Sequence, residues 1–207
     1  MRYIDFHSHV YPSAIARKAT VATLDFYDLV SPYEGTPEEK HALDDAAGIS
    51  HSLILPVAVL PRLVRNCNLY AAATAKNDPH FIAFGTVHAG DENLLEEVEE
   101  IRNLGLVGIK MHPDMQRFHV DDERLYPLYD MVQGKMPVMF HSGDPRTPFS
   151  HPARIRSIPE IAANDANAQI VHEAAIGRIN NDQLLKLMTF GMSEEEAENV
   201  IIEGFLK

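Results

Sequence analysis

The sequence lacks the residue classes that mark several common functions. It has one cysteine, Cys67, in 207 residues, which excludes an internal disulfide and points to a reducing compartment. Lys and Arg together number 18 against 30 Asp and Glu, for a formal net charge of -12. A surface so poor in cations is a weak partner for nucleic acid or an anionic membrane, because both recruit Lys and Arg. No apolar run approaches the roughly 20 residues that a membrane-spanning helix needs. The opening "MRYIDFHSHVYP" also lacks the apolar stretch of a secretory signal. The expectation is a cytoplasmic protein with neither a nucleic-acid nor a membrane partner. Tryptophan is absent too, which excludes nothing. No glycine-rich turn follows the first strand-like run, as a dinucleotide-binding fold would require.

What is present suits a globular enzyme. The hydrophobic fraction of 45% is enough for a sizeable core. No repeat, low-complexity tract or Ser/Gly-rich linker divides the chain, so one domain over 1–207 is expected. Strand-like runs rich in branched and aromatic residues occur at 2–7, 51–57, 81–87, 106–112, 136–141 and 168–172. Helix signals lie between them. "TPEEKHALDDAAG" offers Thr36 as N-cap, Pro37 in the first turn and Glu39 closing a capping box. "DENLLEEVEEIRNLG" sets Leu94, Val98, Ile101 and Leu104 on one stripe before Gly105. "DDERLYPLYDMVQG" reads as a helix weakened by Pro127, and "SEEEAENVIIEGFL" starts with Ser193 and Glu196 at capping-box spacing. Such strand–helix alternation implies an α/β fold with parallel strands.

Histidines mark where these strands end. Of the eleven, His7, His9, His88, His112, His141 and His172 stand at or just past the end of a strand-like run. A closed barrel gathers all its strand C-termini on one face, where its active site lies. The expected fold is therefore a TIM-barrel-like (β/α) domain. Six runs fall short of eight strands, so the barrel is expected to be incomplete or distorted, with the late strands missing. Its open edge would be covered by a helix or by a second subunit in a homodimer.

In "YIDFHSHV" a period of two puts Asp5, His7 and His9 on one face, with the histidines about 6.6 Å apart along the strand. His141 reaches the same end from another strand. Three neutral imidazoles converging from two strands can hold Zn²⁺ or Mn²⁺ with positions left for water. The plainer alternative is hydrogen-bonded or exposed strand-end histidines. His172 is a further candidate ligand. In "GIKMHPD" the alternation groups Gly108, Lys110 and His112. Lys110 is then either a cation held inside, costly unless paired, or a rim lysine whose head reaches solvent. His112 and His151 are candidate substrate contacts, with a loop position for His112 and a helix entry for His151 as alternatives. Asp144 can orient a ligand, act as a base or cap the turn in "DPRTP". Glu173 is a second candidate base.

Together "DFHSHVYP", "GIKMHPDMQRF" and "PVMFHSGDPR", followed by "SHPARI", resemble the amidohydrolase-related family of metal-dependent TIM-barrel enzymes, in the branch that includes aromatic-acid decarboxylases. "SEEEAENVIIEGFLK" is similar to that family's closing helix. The resemblance runs from residue 1 to about 160 and resumes near 184. It implies a metal held by His7, His9 and His141, a further histidine after strand six and an aspartate after strand eight. His172 stands near the place of the former. The His-Gly-Gly and Gly-Ser/Thr-Asp triplets that usually carry these residues are absent, and Asp182 is not given the aspartate's role. The resemblance implies a hydrolase using metal-activated water on a small amide, ester or lactone. The metal would be Zn, or Mn or Fe, with Lys110 or His112 holding an anionic substrate or oxyanion and Asp144 or Glu173 taking the proton. Two alternatives stay open: a metal-dependent decarboxylase, and a degenerate barrel that binds ligand without turnover.

Overall fold

The computed structural model describes residues 3–142, 147–149 and 193. The chain separates into two compact units, Met1–His141 and Ser142–Lys207, and every element described below belongs to the first. Its strands are β1 (Tyr3–Ser8), β2 (Ile49–Ile54), β3 (Phe81–Ala83), β4 (Gly85–Thr86), β5 (Ile109–Met111) and β6 (Val138–Phe140). Its helices are α1 (Ala16–Phe26), α2 (Pro37–Ala47), α3 (Val64–Asn77), α4 (Leu94–Asn103), the single turn α5 (Pro113–Gln116) and α6 (Tyr126–Val132).

Local sequence chemistry sets these elements. Thr36 Oγ1 accepts from Glu39 N at 3.2 Å and Gly48 closes α2 with φ 74°. Glu39 reaches back one and two residues further than a simple capping box, accepting from Gly35 N and Glu34 N at 2.8 and 2.7 Å. On α4 the residues Leu94, Val98 and Ile101 are buried, as their spacing predicts. Pro127 does not break α6, because the helix starts at Tyr126 and the proline sits in the first turn, where no N–H is needed.

All pairings are parallel. One sheet runs β1-β2-β3 and the other β4-β5-β6. β3 and β4 come from the single apolar run at 81–87, which changes partner at Phe84. Phe84 N donates to Ile54 O at 3.1 Å, and the next amide, Gly85 N, donates to Gly108 O at 2.8 Å. The Phe84 ring lies against Gly108, where an added Cβ would stand 2.4 Å from Phe84 Cζ. On the other side of the strands lies the main core, built on Val87, Val98, Ile101, Ile109, Met111, Leu125 and Leu128.

The barrel expectation is overturned. The described residues form a small α/β unit with two three-stranded parallel sheets and no barrel. Among the described residues β1 and β6 each pair on one side only, and closure requires an unbroken ring of pairings. The outer strand β1 accordingly leaves Tyr3 48%, Ile4 50% and Phe6 65% exposed. Five of the six expected runs carry strands, and the sixth, 168–172, lies outside the described residues. No helix among the described residues is long and apolar enough to cross a membrane.

Candidate functional site

The histidines at the ends of β1, β5 and β6 share one neighbourhood with Lys110. A bulge between Asp5 and Ser8 breaks the simple alternation of β1, turning Ser8 inward to donate from Oγ to Leu53 O at 2.9 Å. His7 and His9 nonetheless face each other edge to face, with ring centroids 5.2 Å apart. His9 Nδ1 lies 2.7 Å from Leu55 O. A carbonyl only accepts, so Nδ1 carries the proton and the Nε2 lone pair of neutral His9 is left for another ligand. Asp5 accepts from His7 N at 2.9 Å and pairs with Lys40 Nζ at 2.9 Å.

His112 is held from both sides. Its backbone N–H donates to Gln116 Oε1 at 2.8 Å, while Gln116 Nε2 donates to Ala58 O and Val87 O at 2.8 and 2.7 Å. His112 Nδ1 accepts from Met115 N at 3.3 Å, which places the ring proton on Nε2. From there the donor direction runs through a tyrosine. His112 Nε2 donates to Tyr27 Oη at 2.6 Å, and Tyr27 Oη donates to His141 Nε2 at 3.2 Å. The His112 and His141 rings stack with centroids 4.1 Å apart and an interplanar angle of 10°. Both Nε2 atoms are turned to the one Tyr27 hydroxyl, which occupies the point they share.

Lys110 resolves one of the alternatives left open by the sequence. It is 0% exposed, on the middle strand of its sheet, and its Nζ has no hydrogen-bond partner. It does not reach solvent at the rim. Burial lowers its ammonium to about 8. Desolvation first and the Lys110 charge second hold His7 and His9 down to about 4. Desolvation, then His141 and Lys110, bring His112 to about 2. These three imidazoles are neutral at pH 7.

The structure therefore gathers His7, His9, Lys110, His112 and His141. Among the described residues, no three His, Cys, Asp or Glu side chains are placed to hold one metal ion. Asp144, His151 and His172 lie outside the described residues. Two residues of the site escaped the sequence reading. Tyr27 follows α1 in a stretch with no motif, and its partners are 85 and 114 residues away in the chain. Asp114 Oδ2 stands 3.9 Å from His141 Nε2, and its only local signal is a place in the first turn after "HP".

Comparison with known proteins points elsewhere than the metal-dependent barrels. The family model described as SUF system FeS cluster assembly, SufBD core domain, matches residues 149–205. The chain is 43% identical over 54 residues to Iron-sulfur cluster assembly SufBD family protein PH0883 of Pyrococcus horikoshii, covering 26% of this chain and 17% of that protein. It has the same identity and coverage, 43% over 54 residues with 26% and 17%, against Iron-sulfur cluster assembly SufBD family protein MJ0034 of Methanocaldococcus jannaschii. A SufBD family protein of Archaeoglobus fulgidus is 42% identical over 53 residues, covering 26% of this chain and 14% of that protein. The chain thus spans about a sixth of the length of the curated relatives it matches, 17% for the first two.

These matches overturn the amidohydrolase resemblance and, with it, the hydrolase and decarboxylase readings. "HPARI" and "SEEEAENVIIEGF", two of the motifs that carried the resemblance, fall inside the 149–205 match. A serine followed three residues later by glutamate before an apolar run is how many helices begin, so it discriminates no family. The missing His-Gly-Gly and Gly-Ser-Asp triplets have the same explanation, since the stretch where they were sought resembles SufBD proteins. Zinc has no support from these findings. A metal in the broader sense stays compatible, because the matched family concerns iron–sulfur clusters.

Proposed function

We propose that the chain acts in iron–sulfur cluster assembly through its SufBD-like segment. The observation that supports this is the match over residues 149–205, with 43% identity to two archaeal SufBD family proteins. His172 lies in that segment and Glu173 follows it. Imidazole and carboxylate are both donors that iron accepts, so His172 is proposed as the iron ligand of this role.

A resident cluster does not fit this chain alone. Such clusters are held by four cysteine thiolates, and the sequence has only Cys67. Cys67 is half-buried on α3, and desolvation raises its thiol pKa, which disfavours the thiolate. The cluster is therefore cargo, formed on or passed to a partner. The test is cluster formation on an apo-ferredoxin under anaerobic conditions, with ferrous iron and sulfide, with and without the full chain. The chain should speed formation several-fold, and no effect would remove the proposal.

A second reading concerns the Met1–His141 unit, where His7, His9 and His141 would bind a divalent ion only after their side chains turn from the placement seen here, in which no three such donors among the described residues share one ion. One observation favours it: the Leu55 carbonyl fixes the His9 tautomer and leaves Nε2 free. Binding requires Tyr27 to withdraw its proton from His141. Elemental analysis of the metal-incubated full chain against a His7→Ala/His9→Ala variant tests it, and equal metal content in both would dismiss it. A homodimer, paired along the open edge of β1, is proposed on the exposure of that strand. A monomer by sedimentation would remove it.

A further inference from the structure

Between α2 and α3 lies a cleft of about 730 Å³ that neither reading uses. Glu38, His41 and Asp45 line it from α2, at spacings of three and four that align side chains on one helix face. Asp78, just past the end of α3, lines it too, and none of the lining residues is Lys or Arg. His41 is held in place by two contacts. Its Nδ1 lies 2.6 Å from Asp78 Oδ2, and its ring stacks on that of buried His80, with centroids 4.1 Å and planes 12° apart. Both supports are fixed in turn. Asp78 Oδ1 accepts from His80 N at 2.9 Å, and His80 Nε2 lies 2.7 Å from Asp44 Oδ2. A carboxylate only accepts, so His41 Nδ1 carries the ring proton and Nε2 of the neutral ring keeps its lone pair. That nitrogen stands 3.7 Å from Asp45 Oδ1, too far for a hydrogen bond. A tetrahedral divalent ion, with bonds of roughly 2.0–2.2 Å to nitrogen and oxygen, spans about 3.4 Å between two such donors.

We propose that His41 Nε2 and Asp45 bind a divalent transition-metal ion at this cleft, with water completing its coordination and Asp78 orienting the imidazole. An imidazole and a carboxylate suit such an ion, and a carboxylate on the far ring nitrogen fixes the tautomer that ligates and raises its basicity. The two protein donors are preorganised by their places on α2 and by the His80 stack, and the cleft leaves room for the waters. Two donors make an exchangeable site rather than a structural one. The rival occupant of the gap is a proton on Nε2, which would leave an imidazolium between two carboxylates. The site rests on neither earlier reading.

The experiment is titration of the EDTA-treated full chain with Co²⁺ at neutral pH, followed by nuclear magnetic resonance at the His41 ring. Reading the ring itself sets aside ions bound elsewhere on the chain. The His41 ring signals should broaden along a saturable one-to-one curve. Asp45→Asn, at a side chain 73% exposed where folding is little affected, should weaken that binding at least tenfold. Asp78→Asn keeps both donors and should weaken it about tenfold through the lost orientation of the ring. Mg²⁺, which prefers an all-oxygen shell, should leave the His41 ring signals unchanged. His41 signals that stay sharp throughout the titration overturn the proposal, as does an unchanged affinity in Asp45→Asn. An equal response to Mg²⁺ overturns it as well, and would leave a solvated acidic face whose imidazole holds a proton.

Discussion

Tyr27 Oη stands 2.6 Å from His112 Nε2 and 3.2 Å from His141 Nε2, joining the end of α1 to the ends of β5 and β6. The hydroxyl donates to one ring and accepts from the other, so its removal leaves two imidazole nitrogens without that partner. Tyr27→Phe should cost roughly 1–3 kcal/mol of stability. The midpoint of urea unfolding checks this. The same variant uncaps His141 Nε2, so its affinity for a divalent ion should rise, measured by titration with Mn²⁺.

Lys110→Met is expected to stabilise the protein at pH 7, because it removes a buried charge without a partner. The pH dependence gives the sharper check. The folded-state ammonium is lowered to about 8 from 10.5, so between those values the unfolded chain binds the extra proton. Stability therefore rises with pH from about 8 to about 10.5 through this group. Subtracting the Lys110→Met profile from the wild-type profile isolates it. A flat difference across that window would mean that Lys110 is not buried as an ammonium.

The acid side carries the opposite edge of the same cluster. His7 and His9 are held down to about 4 and His112 to about 2, from 6.5. Below 6.5 the unfolded chain takes up protons that the folded one refuses, so stability falls as pH drops from 6.5 towards 4. His9→Asn/His112→Asn should flatten that fall in denaturant titrations at pH 4.5, 5.5 and 6.5.

Gly108 is fixed by sterics. A Cβ there would lie 2.4–2.6 Å from three atoms of the Phe84 ring. Gly108→Ala should destabilise by about 1–3 kcal/mol through overpacking, read as a lowered thermal midpoint. Phe84→Leu in the same chain should recover part of the loss.

Local signals told most about local structure. Thr36, Pro37, Glu39 and Gly48 mark α2 at both ends, and five apolar runs mark strands, because each signal lies within a few residues of what it determines. The histidines at run ends were legible for the same reason: parallel strands place their C-terminal residues on one side. Closure was not legible. Whether β1 and β6 find further neighbours depends on pairings between distant segments, and no local pattern encodes them. The partner switch at Phe84 divides one apolar run between two sheets, and it goes with a contact between Phe84 and Gly108, 24 residues apart in number, that no local pattern shows. Tyr27 was missed because a lone tyrosine after a helix resembles any other. The family was misread at 149–205 because a Ser-x-x-Glu pattern before an apolar run is a short signal that unrelated sequences share.

The central claim is that the iron–sulfur role resides in the SufBD-like segment and not in the histidines of the Met1–His141 unit. The most direct measurement is the rate of cluster formation on apo-ferredoxin with the full chain, its His172→Ala variant and its His7→Ala/His9→Ala variant. The account predicts that His172→Ala slows the rate about tenfold, while the double variant keeps the wild-type rate. A wild-type rate for His172→Ala, with loss in the His7→Ala/His9→Ala chain, would contradict it.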